Sequence, residues 1–273
     1  MRLTEFLELT ESPAEVKKLK SLSKHSSNVE TYNTLIDMLS VKPYNKSVDL
    51  INDVVKDKKL KFILGLGFGG KFANVKLNLE KRNIPAKRLI PTQNEIGFEE
   101  TLKYIKDGKN IEKAFDDVAV IKHPIVTFQG NFIVDGHHRW SEIYVTNRNA
   151  IIECVNIEGD LSPVEMLKAV QTTIGSNIGS LNFKKCNDLN LLKCSKKQIQ
   201  DYLKDISQNA LTKLKKFTGI KTDFEVIDYL VNNAISLKLN NSPILNAPKR
   251  ELMPQTSKDS KLFKDLSTGV TKI

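Results

Sequence analysis

The sequence predicts an α+β protein in which a small strand-bearing core lies between two basic helical regions. Three observations carry that prediction. Apolar stripes at three- and four-residue spacing, with capping signatures, fill residues 1–60 and recur over 195–233. The β-branched and aromatic runs that read as strands gather between residues 84 and 157. Formal charge is uneven: +7 over residues 1–88, −5 over 89–182 and +8 over 183–273, which makes up the total of +10. A positive flank suits a polyanion such as nucleic acid, and it equally suits a solvated lysine-rich surface.

The totals set further bounds. At 273 residues the chain has room for one large domain or two modest ones. No apolar run is long enough to span a bilayer. The opening MRLTEFLELTESPAE carries acids early and lacks the apolar centre of a secretory leader, so a cytoplasmic location is expected. Cys154, Cys186 and Cys194 are too few and too unevenly spaced for a disulfide framework or a zinc site. They read as small buried or half-buried thiols.

In chain order, Ser12-Pro13-Ala14-Glu15 is a capping box with proline at the first helical position, and Val16, Leu19 and Leu22 continue it as a stripe. Helices are expected over Val29–Leu39 and Ser47–Val55. Residues 61–72, KFILGLGFGGKF, match half of a phosphate-binding P-loop from Gly65 to Lys71. Phe72 stands where the motif needs a magnesium-binding hydroxyl, so the stretch reads as a glycine-rich connector. Ile84–Ile90 predicts a strand ended by Pro91. The polar segment Pro91–Glu95 and a helix over Phe98–Ile105 follow, and residues 110–117 suggest a short helix.

Pro124–Phe128 and Phe132–Val134 predict a hairpin through Gln129-Gly130-Asn131. Ala150–Asn156 is an apolar strand. Ser162-Pro163-Val164-Glu165 opens a helix to about Thr173, and residues 174–182 read as a loop. Lysine-decorated helices fill Ser195–Lys215 and Asp223–Asn233. From Leu239 the pattern loses its period, and an extended or disordered tail is expected. The expected organisation is therefore 1–83 helical, 84–180 core, 181–238 basic helical and 239–273 tail.

The centre is Gly130–Tyr144, GNFIVDGHHRWSEIY. A strand passes through Asp135 and Gly136 into a helix whose Trp140, Ile143 and Tyr144 share a face. The first-turn N–H groups of such a helix lack intrahelical partners and carry partial positive charge. His137, His138 and Arg139 stand in that same turn, so the combination predicts an anion site, with phosphate the expected anion. Each residue also has a purely structural use. Asp135 is a good N-cap, Gly136 suits a special backbone angle, and Arg139 suits a neighbouring carboxylate. Outside the turn, Glu95 is the leading functional carboxylate, and a helix-start charge is its structural alternative. His123, just before the hairpin, is a further candidate.

Residues Ile84–Ile157 resemble the ParB/sulfiredoxin superfamily, most nearly the ParB-like "nuclease domain" proteins of bacteriophages. The likeness rests on IPAKRLIPTQNEIGFEETL, on HPIVTFQGNFIVDGHHRWSEIY and on AIIECVNIEG, in that order, and covers about a quarter of the chain. It implies a core with a small mixed sheet and a nucleoside triphosphate (CTP or ATP, with Mg2+) held at the DGHHR turn. Gly136, His137, His138 and Arg139 would meet the phosphates. Glu95, Asp135 and His137 are the catalytic candidates and Asp135 the metal ligand, with Gln93, Asn94 and His123 as other candidates. His137 stands where sulfiredoxins carry their reactive cysteine, so sulfinic-acid repair is not implied. The resemblance leaves four functions open: a DNA-associated nucleotide-binding protein with basic flanks, a DNA nuclease, a phosphotransferase akin to free-serine kinases, or a structural protein without chemistry. A phage-encoded chain would work in the host cytoplasm, and an oligomer is compatible with all four.

Overall fold

The computed structural model describes residues 11–66, 78–181, 183 and 187–256. The chain divides into two compact units, each built from separated stretches of sequence.

The first unit comprises residues 1–78, 159–183 and 252–273. Its described helices are α1 (Glu11–His25), α2 (Asn28–Val41), α3 (Tyr44–Val54), α4 (Lys58–Gly65) and, from much later in the chain, α7 (Pro163–Ile178). Leu19, Leu35, Val48, Ile51, Leu60 and Ile63 are wholly buried. Helix α4 runs into the stretch expected to be a connector. Asp57 caps it by accepting from the amides of Lys59 and Leu60, and Leu60, Ile63 and Leu64 bury one side. The rest of the P-loop-like stretch, from Gly67, lies outside the described residues.

Helix α7 corrects two expectations. It opens on the predicted Ser162/Glu165 capping box, but it continues to Ile178 and ends at the left-handed Gly179. Gly175, read as a loop residue, lies inside it; a Cβ there would sit 3.0 Å from an Ile51 methyl, so its smallness lets α7 approach α3. Moreover α7, expected in the strand-bearing core, belongs to the helical unit. Lys168 on α7 is the tie. Its ammonium donates to the carbonyls of Leu39, Ser40 and Lys42 at 2.8, 3.3 and 2.7 Å, the open C-terminal carbonyls of α2.

The second unit comprises residues 79–158 and 184–251. It is the α+β part, with a five-stranded mixed sheet in the order β1-β5-β3-β4-β2. The strands are β1 (Asn78–Pro85), β2 (Ile90–Pro91), β3 (Ile125–Phe128), β4 (Phe132–Asp135) and β5 (Ile151–Glu158). The hairpin β3–β4 is antiparallel, and its turn uses left-handed Gln129 and Gly130 (φ 50° and 76°), as a tight hairpin requires. Strand β2 pairs parallel to β4, and β5 parallel to β3. The strand expected over Ile84–Ile90 is broken in two by a 3-10 turn at Ala86–Arg88. Three side-chain bonds hold that break: Trp140 Nε1 donates to Ala86 O at 2.8 Å, and Asn241 Nδ2 donates to Lys87 O and Leu89 O at 3.1 and 2.8 Å.

Five helices pack with this sheet: α5 (Phe98–Lys106), α6 (His137–Thr146), α8 (Lys196–Leu203), α9 (Gln208–Thr218) and α10 (Asp223–Asn240). Helix α10 extends seven residues beyond its expected end, because Leu230, Ala234 and Leu237 keep one face buried. It also reaches α6: Tyr229 Oη and Asn233 Nδ2 donate to Thr146 O and Val145 O, each at 3.0 Å. Trp140 and Tyr144, the largest fully buried side chains, meet edge to face at 5.9 Å. Trp140 is thus a core residue, as its spacing predicts. Cys154 and Cys194 are buried thiols, and Cys186 lies outside the described residues. No helix among the described residues is long and apolar enough to cross a membrane.

The expected tail is tied down as far as Thr256. Residues 242–249 form neither helix nor strand. They run as a strap whose Ile244 N donates to Pro91 O at 3.1 Å and whose Pro248 O accepts from Asn94 N at 3.0 Å. Residues 257–273 lie outside the described set.

One buried charge in this unit sets a pH dependence. Glu142 on α6 is 9 % exposed and accepts from Asn110 Nδ2 at 3.2 Å. Burial pushes its carboxyl up to about 7. The folded state therefore binds more protons than the unfolded state between the ordinary carboxyl range and about pH 7, and its stability falls as pH rises through that window. At full extent the effect is on the order of 3 kcal/mol. Glu142→Gln is expected to melt near the parent at pH 5 and a few degrees above it at pH 8. A difference in melting temperature that does not vary with pH would show that Glu142 titrates normally.

Candidate functional site

The site lies where the predicted turn is, but its parts are arranged differently. Strand β4 ends at Asp135, and Gly136 takes a left-handed angle, φ 99°, as the N-cap of α6. An L residue adopts that angle at a cost, and a Cβ would meet Arg139 Nη2 at 3.1 Å and Ile125 Cα at 3.2 Å. Asp135 is therefore not the cap that the sequence allows. The cap position, being glycine, has no side chain of its own to close the first turn.

Both histidine rings serve the fold. His137 is 4 % exposed, and its Nε2 accepts the Thr92 amide at 3.1 Å. His138 Nε2 accepts the Gly97 amide at 3.0 Å, while its Nδ1 faces Glu100 Oε2 at 3.4 Å. An imidazole nitrogen that accepts an N–H carries no proton, so in each ring the Nδ1–H tautomer follows from the bonding. Burial holds the His137 pKa well below its ordinary value, aided by the charges of His138, Arg139 and Arg250. His137 thus supports stability that is present above the ordinary histidine range and is lost as pH falls. This corrects the expectation that the imidazoles face a ligand. The His137 ring is committed to Thr92, and His138 would have to release Gly97 before its Nε2 met anything else.

Arg139 stays at the corner. Its side chain is 27 % exposed, Nη1 donates to His123 O, and Nη2 lies 3.6 Å from Asp135 Oδ1. His123 contributes here through its carbonyl, and its ring is exposed. Asp135 is 17 % exposed at its side chain.

The Pro91–Phe98 loop packs over this helix start and is bonded on both sides. One side meets the two histidines. On the other, Asn190 Oδ1 accepts from Ile96 N at 3.1 Å, Asn190 Nδ2 donates to Asn94 O at 2.9 Å, and Leu191 N donates to Ile96 O at 2.7 Å. Gln93 is buried and bonds within the loop to Glu95 O, while Asn94 is exposed and holds the strap through its backbone. Glu95 is half-buried, and among the described residues its carboxylate has no hydrogen-bond or ion-pair partner.

Four residues that matter here were absent from the sequence candidates. Asp188 caps α5, its carboxylate oxygens accepting from Glu99 N at 3.1 Å and Glu100 N at 3.2 Å. Asn190 holds the loop. Glu100 receives the guanidinium of Arg250 and faces His138. No local signal marks Arg250, which comes from the stretch read as tail.

Among the described residues, no group of three or more His, Cys, Asp and Glu side chains is placed to hold a metal ion. Magnesium carried in on phosphates needs only one or two carboxylates, and Asp135 is the one at the corner. No protein-family model, no curated protein and no solved structure matches the chain.

The backbone at Gly136 gives the first test of this geometry. Gly136→Ala is expected to lower unfolding free energy by about 1–3 kcal/mol, because it forces an alanine into a left-handed angle against Ile125 and Arg139. Urea unfolding measures it. A cost below about 0.5 kcal/mol would mean that the turn relaxes without holding this shape.

Proposed function

We propose that this chain binds a nucleoside triphosphate, CTP or ATP with Mg2+, in the manner that its resemblance to ParB-like proteins implies. The observation that carries the reading is the start of α6. It is a helix N-terminus whose N-cap residue is a glycine, and a guanidinium is folded back over that glycine. Amide hydrogens, a helix dipole and a fixed planar cation together favour a phosphate group. The order of elements around it, strand, polar loop, helix, hairpin, glycine turn and helix, agrees with the resemblance.

Within that reading the chain's own residues divide the work. The α6 first-turn amides and Arg139 take phosphate oxygens. Gly136 keeps the approach open. His137 and His138 place the Thr92–Gly97 loop, and with it Glu95, beside the phosphates. Asp135 holds Arg139 in place and supplies the protein's carboxylate to magnesium, which would offset phosphate charge when bound. DNA contact by the basic flanks draws less support from the fold than from the lysine count. Lys196, Lys204, Lys213 and Lys215 each pair with an acid: Asp228, Asp201, Glu112 and Asp223.

Differential scanning of the full chain with millimolar ATP-Mg and CTP-Mg tests the proposal. At least one nucleotide is expected to raise the melting temperature, and Arg139→Ala is expected to weaken binding about tenfold or more while keeping the parent's circular dichroism. No shift with either nucleotide would sink the reading.

Glu95, whose carboxylate has no partner among the described residues, favours a second reading on the same site, a phosphotransferase in which this carboxylate takes the proton of an attacking hydroxyl. Glu95→Gln is then expected to bind nucleotide like the parent and to lose ADP formation in the presence of hydroxyl acceptors such as free serine. Equal turnover by parent and variant would leave binding as the function.

A further inference from the structure

A second guanidinium lies on the opposite side of the same helix start. Arg250 is delivered by the strap that follows α10, and its side chain is 10 % exposed. Nη1 lies 3.0 Å from the point where a Cβ on Gly97 would stand, and His138 Nε2 lies 3.2 Å from that same point. Its charge also reaches the buried His137 ring, as does that of Arg139. The two arginines therefore flank the histidine pair, Arg139 on the His123 side and Arg250 on the Gly97 side.

Each guanidinium is held by one of the protein's own carboxylates. Asp135 lies 3.6 Å from Arg139, and Glu100 binds Arg250 directly. Glu100 also faces His138 Nδ1, and Asp188 closes the α5 amides next to it. A planar, fully ionised cation beside the α6 start, whose carboxylate partner is 37 % exposed, is a group that an incoming anion can recruit.

We propose that Arg250 is a second phosphate-contacting residue of the site, and that Glu100 competes with the ligand for it. This rests on the phosphate reading of the α6 turn. In the ligand-free chain Glu100 holds the guanidinium at the edge of the corner. A polyphosphate bound across the α6 start draws Arg250 onto its far phosphate, and the strap follows. The anion thus engages two guanidiniums, which favours a di- or triphosphate, with its greater charge and number of oxygens, over a single phosphate.

The test compares three full-length proteins, the parent, Arg250→Ala and Glu100→Gln, by calorimetric titration with ATP-Mg, CTP-Mg and inorganic pyrophosphate. Orthophosphate serves as the single-phosphate probe. Arg250→Ala is expected to weaken nucleotide and pyrophosphate binding about tenfold and to leave orthophosphate binding within about twofold. Glu100→Gln is expected to tighten nucleotide binding severalfold, which loss of a merely structural contact would not do. Arg250→Lys keeps the charge without the planar fork and should recover only part of the loss. If Arg250→Ala fails to fold, the Glu100→Gln result decides alone. No binding by the parent to any probe removes the phosphate reading and this proposal with it. Parent binding that neither variant changes, or that Glu100→Gln weakens, leaves the phosphate reading standing and removes Arg250 from it.

Discussion

Two backbone amides that end on imidazole nitrogens hold the functional corner together. Thr92 N and Gly97 N each donate to the Nε2 of a histidine in the first turn of α6. A loop of this kind has little regular structure to absorb its amide hydrogens, and an unpaired buried N–H costs about 1–3 kcal/mol. The histidines solve that problem only while they are neutral, since a protonated ring turns both acceptors into donors that face donors. Burial of His137 enforces the neutral form. The chemistry follows from this constraint. With both rings committed to the loop, permanent positive charge at the corner falls to arginine.

That charge is compensated from within. Arg139 has Asp135, Arg250 has Glu100, and the α5 amides have Asp188. On the proposed reading, an anion arriving here exchanges partners rather than filling a naked positive field. Its net gain is the difference between its own bonds and those it displaces, so affinity depends on charge density and reach more than on contact number. Phosphates satisfy that condition better than carboxylates do, because they offer more oxygens and more charge per group. The same compensation applies to the lysine-rich helices α8–α10, whose surface pairs lower the field that a count of lysines suggests.

What the sequence made legible was local. The hairpin, the glycine turn, the capping box at Ser162 and the buried face of Trp140 and Tyr144 each depend on residues within a few positions of one another. What stayed hidden was fixed over distance. Arg250 and Glu100 are 150 residues apart, and Asn190 reaches a loop 96 residues before it. Gly175 looked like a loop residue because its reason for being small is on α3. Asp135 looked like a cap because its side chain suits one, but the left-handed Gly136 takes the cap position and leaves Asp135 at the end of β4. The histidines were recognised as important, yet only the fold reveals that their ring nitrogens point at the Pro91–Phe98 loop.

The helix that carries the corner is anchored along its whole length. His137 and His138 fix its first turn, Trp140 bonds through its indole to Ala86, and Tyr229 and Asn233 of α10 take the carbonyls of its last turn. Little conformational freedom remains in that backbone for a ligand to remove, so binding there loses little to ordering. Beside it stand the guanidiniums, each on a long side chain, and the strap before Arg250 is tied to the loop by backbone bonds at Ile244 and Asn94. Under the proposed reading, the fixed amides select an anion by shape and the two arginines select it by length. On that same reading, the separation of roles is what makes a polyphosphate, rather than a simple anion, the fitting ligand.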